Sequence, residues 1–287
     1  IEPLPDIDFN IRAGNTLVGY ATYKAVDTAL KGKLDLDDAV DRIARGAADL
    51  QTVFQAFRAR QMEGDGAVSS TDKVRLHERL KALEDELNGH LAADYGVNTR
   101  DGHTYGEWLK SHQPFHWCIE FHGIMQAGGF DVVIGNPPYL ETRQVDYRPQ
   151  AFRSRDGNAI HAMCIERSLQ LMKVRSTISM IVPLSLPSTA RMRCIQDMIE
   201  EGRSAWYANF SWRPAKLFDA VNRALTIFVA IQYDGPRTYS TSYQKWTSAN
   251  RDGLVERMTY VEVPHERPSF WVPKLGVQIE RSILNKV

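Results

Sequence analysis

The sequence predicts an α/β fold: a partly parallel sheet whose strands alternate with helices, carrying an inserted helical hairpin. Three observations predict it. Phe-Asp-Val-Val-Ile-Gly at 130–135 is a short apolar run bounded by turn residues, as in a buried strand of a parallel sheet. Apolar and aromatic runs at 178–183, 205–210 and 225–231 follow, with helical spacing at 158–173 and 192–201 between them. Before all of these, apolar residues recur at three- and four-residue steps over two long stretches.

The bulk properties narrow the function classes. At 287 residues and 43% apolar content the chain can bury a full core. Lys plus Arg equals Asp plus Glu at 35 each, so any attraction to phosphate must come from a local patch. Cys118, Cys164 and Cys194 lack a paired metal or disulfide spacing, which suits a reducing, cytoplasmic setting. No apolar run reaches the length of a membrane span, so no membrane partner is expected. The opening Ile1-Glu2-Pro3-Leu4-Pro5 resembles the middle of a longer protein.

In chain order, residues 7–12 alternate apolar and polar as a strand would, and Ala13-Gly14-Asn15-Thr16-Leu17 follows as a turn. From Asp35, the positions Leu36, Val40, Ile43, Ala47, Leu50, Phe54 and Phe57 mark one amphipathic helix. Gly64-Asp65-Gly66 breaks it, Ser69-Ser70-Thr71 offers caps, and Leu76, Leu80, Leu83, Leu87 and Leu91 form a second stripe. The pair is expected as an antiparallel hairpin inserted between two strands; a dimerising coiled coil is the other reading of the Leu stripe. Residues 98–112 show no clear period. Aromatic density returns at Pro114-Phe115-His116-Trp117-Cys118-Ile119-Glu120-Phe121, read as packing. His103, His112, His116, His122 and Cys118 are too irregularly spaced to enforce a metal site, and none is expected.

Ligands of parallel sheets sit beyond the carboxyl ends of the strands, which is where Asn136-Pro137-Pro138-Tyr139 falls. An Asn oxygen and the Pro137 carbonyl can both accept from one planar amine, drawing its nitrogen towards tetrahedral geometry. The prolines stiffen that presentation and offer no competing N–H, and Tyr139 adds a stacking face. Asn-Pro-Pro could also be simply the turn that ends a strand. Arg143, Arg148, Arg153 and Arg155 follow with Tyr147 and Phe152 among them, suited to phosphate contacts or to a solvated loop offset by Asp146 and Asp156.

Asn-Pro-Pro-Tyr after a Phe-Asp-Val-Val-Ile-Gly strand resembles the catalytic motif of S-adenosylmethionine-dependent amino-methyltransferases. The likeness is greatest to adenine-specific DNA methyltransferases of gamma-type motif order, including those in single-chain type IIG restriction-modification enzymes. The resemblance implies a partial Rossmann-like S-adenosylmethionine-dependent methyltransferase sheet over 1–235, with the helical insertion at about 24–112, and 236–287 as a link towards a target-recognition domain. It implies Asn136, Pro137, Pro138 and Tyr139 as catalytic, Phe218, Arg143 and Arg148 at the substrate, and Asn15 and Asp131 at the cofactor. Asn15 is equally suited to its turn, and Phe218 to capping the core.

The implied reaction moves a methyl group from S-adenosylmethionine to the amino group of a flipped adenine in double-stranded DNA. Two departures from the family stand out: Ala159 where many relatives carry Asp, and His161 where an aromatic is usual. Nor is a glycine-rich strand-turn-helix visible before Asn136, so this stretch by itself is expected to hold the cofactor poorly. The rival substrates are a protein glutamine or an RNA amine. A non-catalytic DNA-binding scaffold is the rival of another class.

Overall fold

The computed structural model describes residues 10–30, 37–62, 70–265, 267 and 269–284. They fall into two compact units, 1–129 and 130–287.

The described part of the first unit is helical: α1 (Tyr23–Leu30), α2 (Asp37–Met62), α3 (Ser70–Asp94), α4 (Gly102–His112), and the short α5 (Trp117–Glu120) and α6 (His122–Gln126). The two stripes pair within the chain, burying Ile43, Ala47 and Leu50 of α2 and Leu76, Leu80, Leu87 and Leu91 of α3. Arg42 bonds Glu86, and a Cβ on Gly46 would meet Leu83, so the helices run antiparallel. Leu36 and the side chain of Phe57 lie outside the described residues. So does most of the strand expected at 7–12, and its residues 10–12 are not in a strand. No strand precedes the hairpin among the described residues.

The stretch at 98–112, without a period in the sequence, is α4 from Gly102 onward. Asp101 caps it, its side chain accepting from His103 N and Thr104 N, and Trp108 alone of its residues is buried. One buried residue leaves no stripe to detect; the helix docks by rings instead, with Tyr95 5.6 Å from Trp108 and edge-on to His112 at 5.1 Å. The aromatic segment after it packs as expected, Phe115 edge-on to Trp117 at 4.9 Å and Trp117 stacked on Phe121 at 5.4 Å.

Gly19 fixes where this segment can run. Its φ is +135°, and a Cβ there would lie 2.1 Å from the Phe115 carbonyl oxygen. Gly19→Ala is therefore expected to cost about 2–4 kcal/mol, from strain at that φ plus displaced backbone, read as a lowered urea midpoint. An unchanged midpoint would mean that the close approach of Gly19 to the Phe115 carbonyl is not formed in solution.

The second unit is a six-stranded mixed sheet of order β1-β2-β4-β3-β5-β6. Its strands are β1 (Phe130–Gly135), β2 (Met172–Pro183), β3 (Arg203–Phe210), β4 (Leu225–Gln232), β5 (Thr238–Gln244) and β6 (Val261–Val263). β1 is parallel to β2, β3 is parallel to β5, and β4 runs antiparallel between β2 and β3. Helices α7 (Ile160–Leu171) and α8 (Arg193–Glu200) connect β1 to β2 and β2 to β3, and α9 (Gln278–Leu284) ends the described chain. Ala162 and Ile165 of α7 and Ile195 and Ile199 of α8 share a core with Ile178, Met180, Tyr207 and Phe228 of the sheet. A second cluster unites Ala208 and Phe210 with Trp246 and Leu254, and Leu217 packs against it.

Two sequence expectations change here. β1 is not buried: it is the edge strand, with Val132 54% and Ile134 78% exposed. Nor does the sheet end at residue 235, because β5 and β6 extend it.

Candidate functional site

The directions of the strands decide which loops can meet. β1, β2, β3 and β5 all point one way, so the loops at 136–159, 184–192, 211–224 and 245–260 leave from one edge of the sheet. That edge is where parallel strands place ligands. Those four loops hold eleven Lys or Arg against six Asp or Glu, in a chain whose totals are equal. Topology thus concentrates a positive bias that the whole-chain balance hides.

The tetrad stands at this edge. Asn136 follows the last residue of β1 and is exposed, Pro137 is buried, Pro138 is exposed and Tyr139 is half-buried. Among the described residues, nothing hydrogen-bonds the Asn136 side chain, whereas Tyr139 is held at both ends. Its hydroxyl donates to the Ile181 carbonyl at 3.1 Å, an acceptor left over because the ladder with β1 stops at Gly135 and Met180. Its own carbonyl accepts from Arg223 Nη1 at 3.1 Å. Burial raises the phenol's pKa, with Arg223 opposing, so the hydroxyl stays a donor at neutral pH.

The chain beyond is tied to α7. Ile160 N donates to Leu140 O at 2.9 Å and Thr142 N to Asn158 O at 3.1 Å, forming a short bridge between Glu141 and Ala159. The buried Glu166 accepts from Arg153 N at 3.0 Å and Ser154 N at 2.8 Å, and Arg167 stands over the Phe152 ring at 5.0 Å. Arg143 is exposed and pairs with Glu141 at 3.2 Å, which also takes Arg191 at 3.2 Å; Arg148 is exposed.

Phe218 lies in the loop between β3 and β4, 41% exposed. Leu217 beside it packs against the Trp246 cluster, so the core-capping role open to Phe218 is taken by its neighbour. Arg223 joins this loop to the tetrad.

The two cofactor candidates lie in different units. Asp131 sits near the start of β1, at the opposite end of the strand, and pairs with Lys173. Asn15 belongs to the first unit, where its side chain accepts from Leu17 N at 3.1 Å and closes a turn.

His161 is a surprise of placement. It is 3% exposed, neither ring nitrogen has a partner among the described residues, and burial, then Arg191 and Arg223, push its pKa down to about 4. It is a buried, neutral ring. Sequence reasoning missed Arg223, Arg191 and Glu166, and only the Glu166-Arg167 pair inside an apolar helix hinted at buried charge. Two buried histidines of the first unit are spent on packing: His116 bonds Asn88 at 3.0 Å and His122 bonds the Tyr23 hydroxyl at 2.7 Å. No described helix is long and apolar enough to cross a membrane.

Comparison with known proteins adds to this geometry. The sequence pattern of the Eco57I restriction-modification methylase matches residues 43–218, more than half of the chain. The match starts inside α2 and ends at Phe218, so it takes in the helical hairpin as well as the tetrad. A Methanocaldococcus jannaschii protein provisionally named a type II restriction enzyme and methyltransferase is 24% identical over 227 residues, covering 66% of this chain. The chain spans 19% of the length of that relative. Among solved structures, a DrdV–DNA complex overlaps 50% of this chain and 18% of its own, at 10% identity and TM-score 0.40. A nuclease-deletion mutant of the type ISP restriction-modification enzyme LlaGI with a DNA substrate mimic overlaps 75% and 23%, also at 10% identity and TM-score 0.40.

Proposed function

Because the chain belongs to the Eco57I restriction-modification methylase family, we propose that the whole protein methylates the amino group of adenine in DNA, with S-adenosylmethionine as donor. The observation that carries this reading is Asn136: it is exposed directly beyond the C-terminal end of β1, its amide is free of hydrogen bonds among the described residues, and a buried proline follows it.

The residues act on the acceptor. Duplex geometry hides the adenine amine, so the base must leave the stack, to be received by the ring of Tyr139 and, on its other side, Phe218. Asn136 Oδ1 and the Pro137 carbonyl accept the two N–H bonds of the amine and localise its lone pair outside the ring plane. Pro138 keeps that carbonyl from turning. When bound, S-adenosylmethionine would supply the methyl group and leave as S-adenosylhomocysteine, the proton of the methylated amine passing to water. No cysteine takes part: Cys118 and Cys164 are buried and Cys194 is half-buried. The basic bias of the site edge suits the DNA backbone, with Arg143 and Arg148 as the nearest exposed cations along the chain.

In this proposal the catalytic domain reaches past residue 235 to take in β5 and β6 of the same sheet, the chain after them leads towards target recognition, and the cofactor cradle comes from outside the described residues. The open apolar edge at Val132 and Ile134 supports that last point, since an unpaired strand edge of this kind invites another strand.

The direct test incubates the whole protein with duplex DNA and methyl-labelled S-adenosylmethionine, then digests the DNA to nucleosides. Label in N6-methyldeoxyadenosine is expected; label confined to protein glutamine, RNA or cytosine would overturn the assignment. Phe218→Ala is expected to lower kcat/KM about tenfold to a hundredfold, since stacking one base on one ring contributes about 1–3 kcal/mol. Phe218→Tyr should retain most activity. Equal activity of the Ala variant would remove Phe218 from the base slot.

A further inference from the structure

Around Phe218 three cationic side chains bind neutral acceptors rather than carboxylates. Lys216 Nζ donates to Asp219 O at 3.1 Å and to Asn222 Oδ1 at 2.6 Å, closing the β3–β4 loop on itself. Arg251 Nη2 donates to Leu217 O at 3.1 Å, tying the same loop to the 245–260 segment. Arg223 Nη1 donates to Tyr139 O at 3.1 Å, and among the described hydrogen bonds it is the one that crosses from this loop to the tetrad.

We propose that Arg223 is a positioning residue that sets the separation between Phe218 and Tyr139, and with it the width of the slot that receives a planar base. The proposal rests on the methyltransferase reading of this site. Tyr139 cannot adjust by itself, because its hydroxyl is anchored to β2 through the Ile181 carbonyl. Phe218 cannot adjust far either, because Leu217 is packed against the Trp246 cluster and Lys216 staples the residues after Phe218. Each of these anchors holds one ring to its own element, and the bond from Arg223 is the direct tie between the two loops that carry them. Arg223 touches neither the amine nor the methyl group in this scheme; it acts through the carbonyl of Tyr139.

The test uses the whole protein and a duplex with 2-aminopurine at the target position, alongside a normal duplex for turnover. Arg223→Ala is expected to lower kcat about tenfold to a hundredfold, as misplacement of bound reactants by an ångström does, with KM for DNA within about threefold. The 2-aminopurine emission should rise above that of the unsubstituted protein, because the extruded base is less firmly sandwiched. Arg223→Lys, which keeps a donor able to reach the carbonyl, should recover part of both. Unchanged kcat and emission would overturn the proposal. So would a rise in KM alone with a salt slope shallower by about one, which is the mark of a phosphate contact. Should the Ala variant fail to fold, Arg223→Gln decides, its short amide falling out of reach of Tyr139 and the same two changes being required. Asn136→Ala, run in parallel, separates the two ideas. If it still methylates, the site itself is misread; if it is dead while Arg223→Ala is normal, only the positioning role falls.

Discussion

Asn136→Ala in the whole protein is expected to reduce methyl transfer by about a hundredfold to a thousandfold in kcat, the usual cost of removing one pre-aimed polar group from the reacting centre. The change should be clean. Asn136 is exposed and its side chain supports nothing else among the described residues, so stability should move by no more than about 0.5 kcal/mol. DNA affinity should stay near normal, because phosphate contacts and base stacking rest on other residues. Asn136→Asp sharpens the result: a carboxylate still accepts hydrogen bonds, so it should retain more activity than Ala if acceptance from the amine is what matters. Near-normal turnover by the Ala variant would remove the central role assigned to this residue. Lost DNA binding would recast Asn136 as a recognition group.

The second large effect concerns the buried pair of Arg267 and Glu200. Arg267 Nη2 meets Glu200 Oε1 at 2.9 Å with both side chains almost wholly buried, and the same oxygen accepts from the Tyr207 hydroxyl at 2.9 Å. Arg267 also donates through Nη1 to the carbonyls of Pro264 and His265, at 3.1 and 3.2 Å. Arg267→Ala leaves the Glu200 carboxylate in the interior with one neutral donor, and should cost about 3–5 kcal/mol. Urea denaturation followed by circular dichroism would measure it. The double variant Arg267→Met, Glu200→Leu should be milder than Arg267→Ala, because no charge is then left unpaired. If the single variant loses less than about 1 kcal/mol, water reaches Glu200 and the pair is not a dry one.

These two sites differ in how far the sequence announces them. The tetrad is legible because its chemistry is local: four consecutive residues after an apolar run define a strand end and what stands on it. Arg267 and Glu200 are 67 residues apart, and nothing in either neighbourhood says that they meet. The same contrast runs through the elements. α2 and α3 are visible because one face of each is apolar, and α7 and β4 because apolar residues run through them. α4 is missed because it docks through aromatic rings, and β5 because its buried residues are polar. Thr238, Ser240 and Thr241 are fully buried, and the Asn209 side chain donates to Ser240 Oγ and to Thr241 O at 3.0 Å each. Hydropathy cannot find a strand whose buried groups satisfy one another across the sheet.

Order along the chain therefore determined the α/β class, the paired helices and the Asn-Pro-Pro-Tyr strand end, since each depends on spacing over a few turns or a few residues. Tertiary structure alone decided that β1 is an edge, that Leu217 rather than Phe218 turns inward, that Asp131 stands at the far end of its strand, and that Arg223 reaches Tyr139. Those outcomes depend on which strand lies beside which, and on where distant side chains find acceptors. Local periodicity carries no information about either.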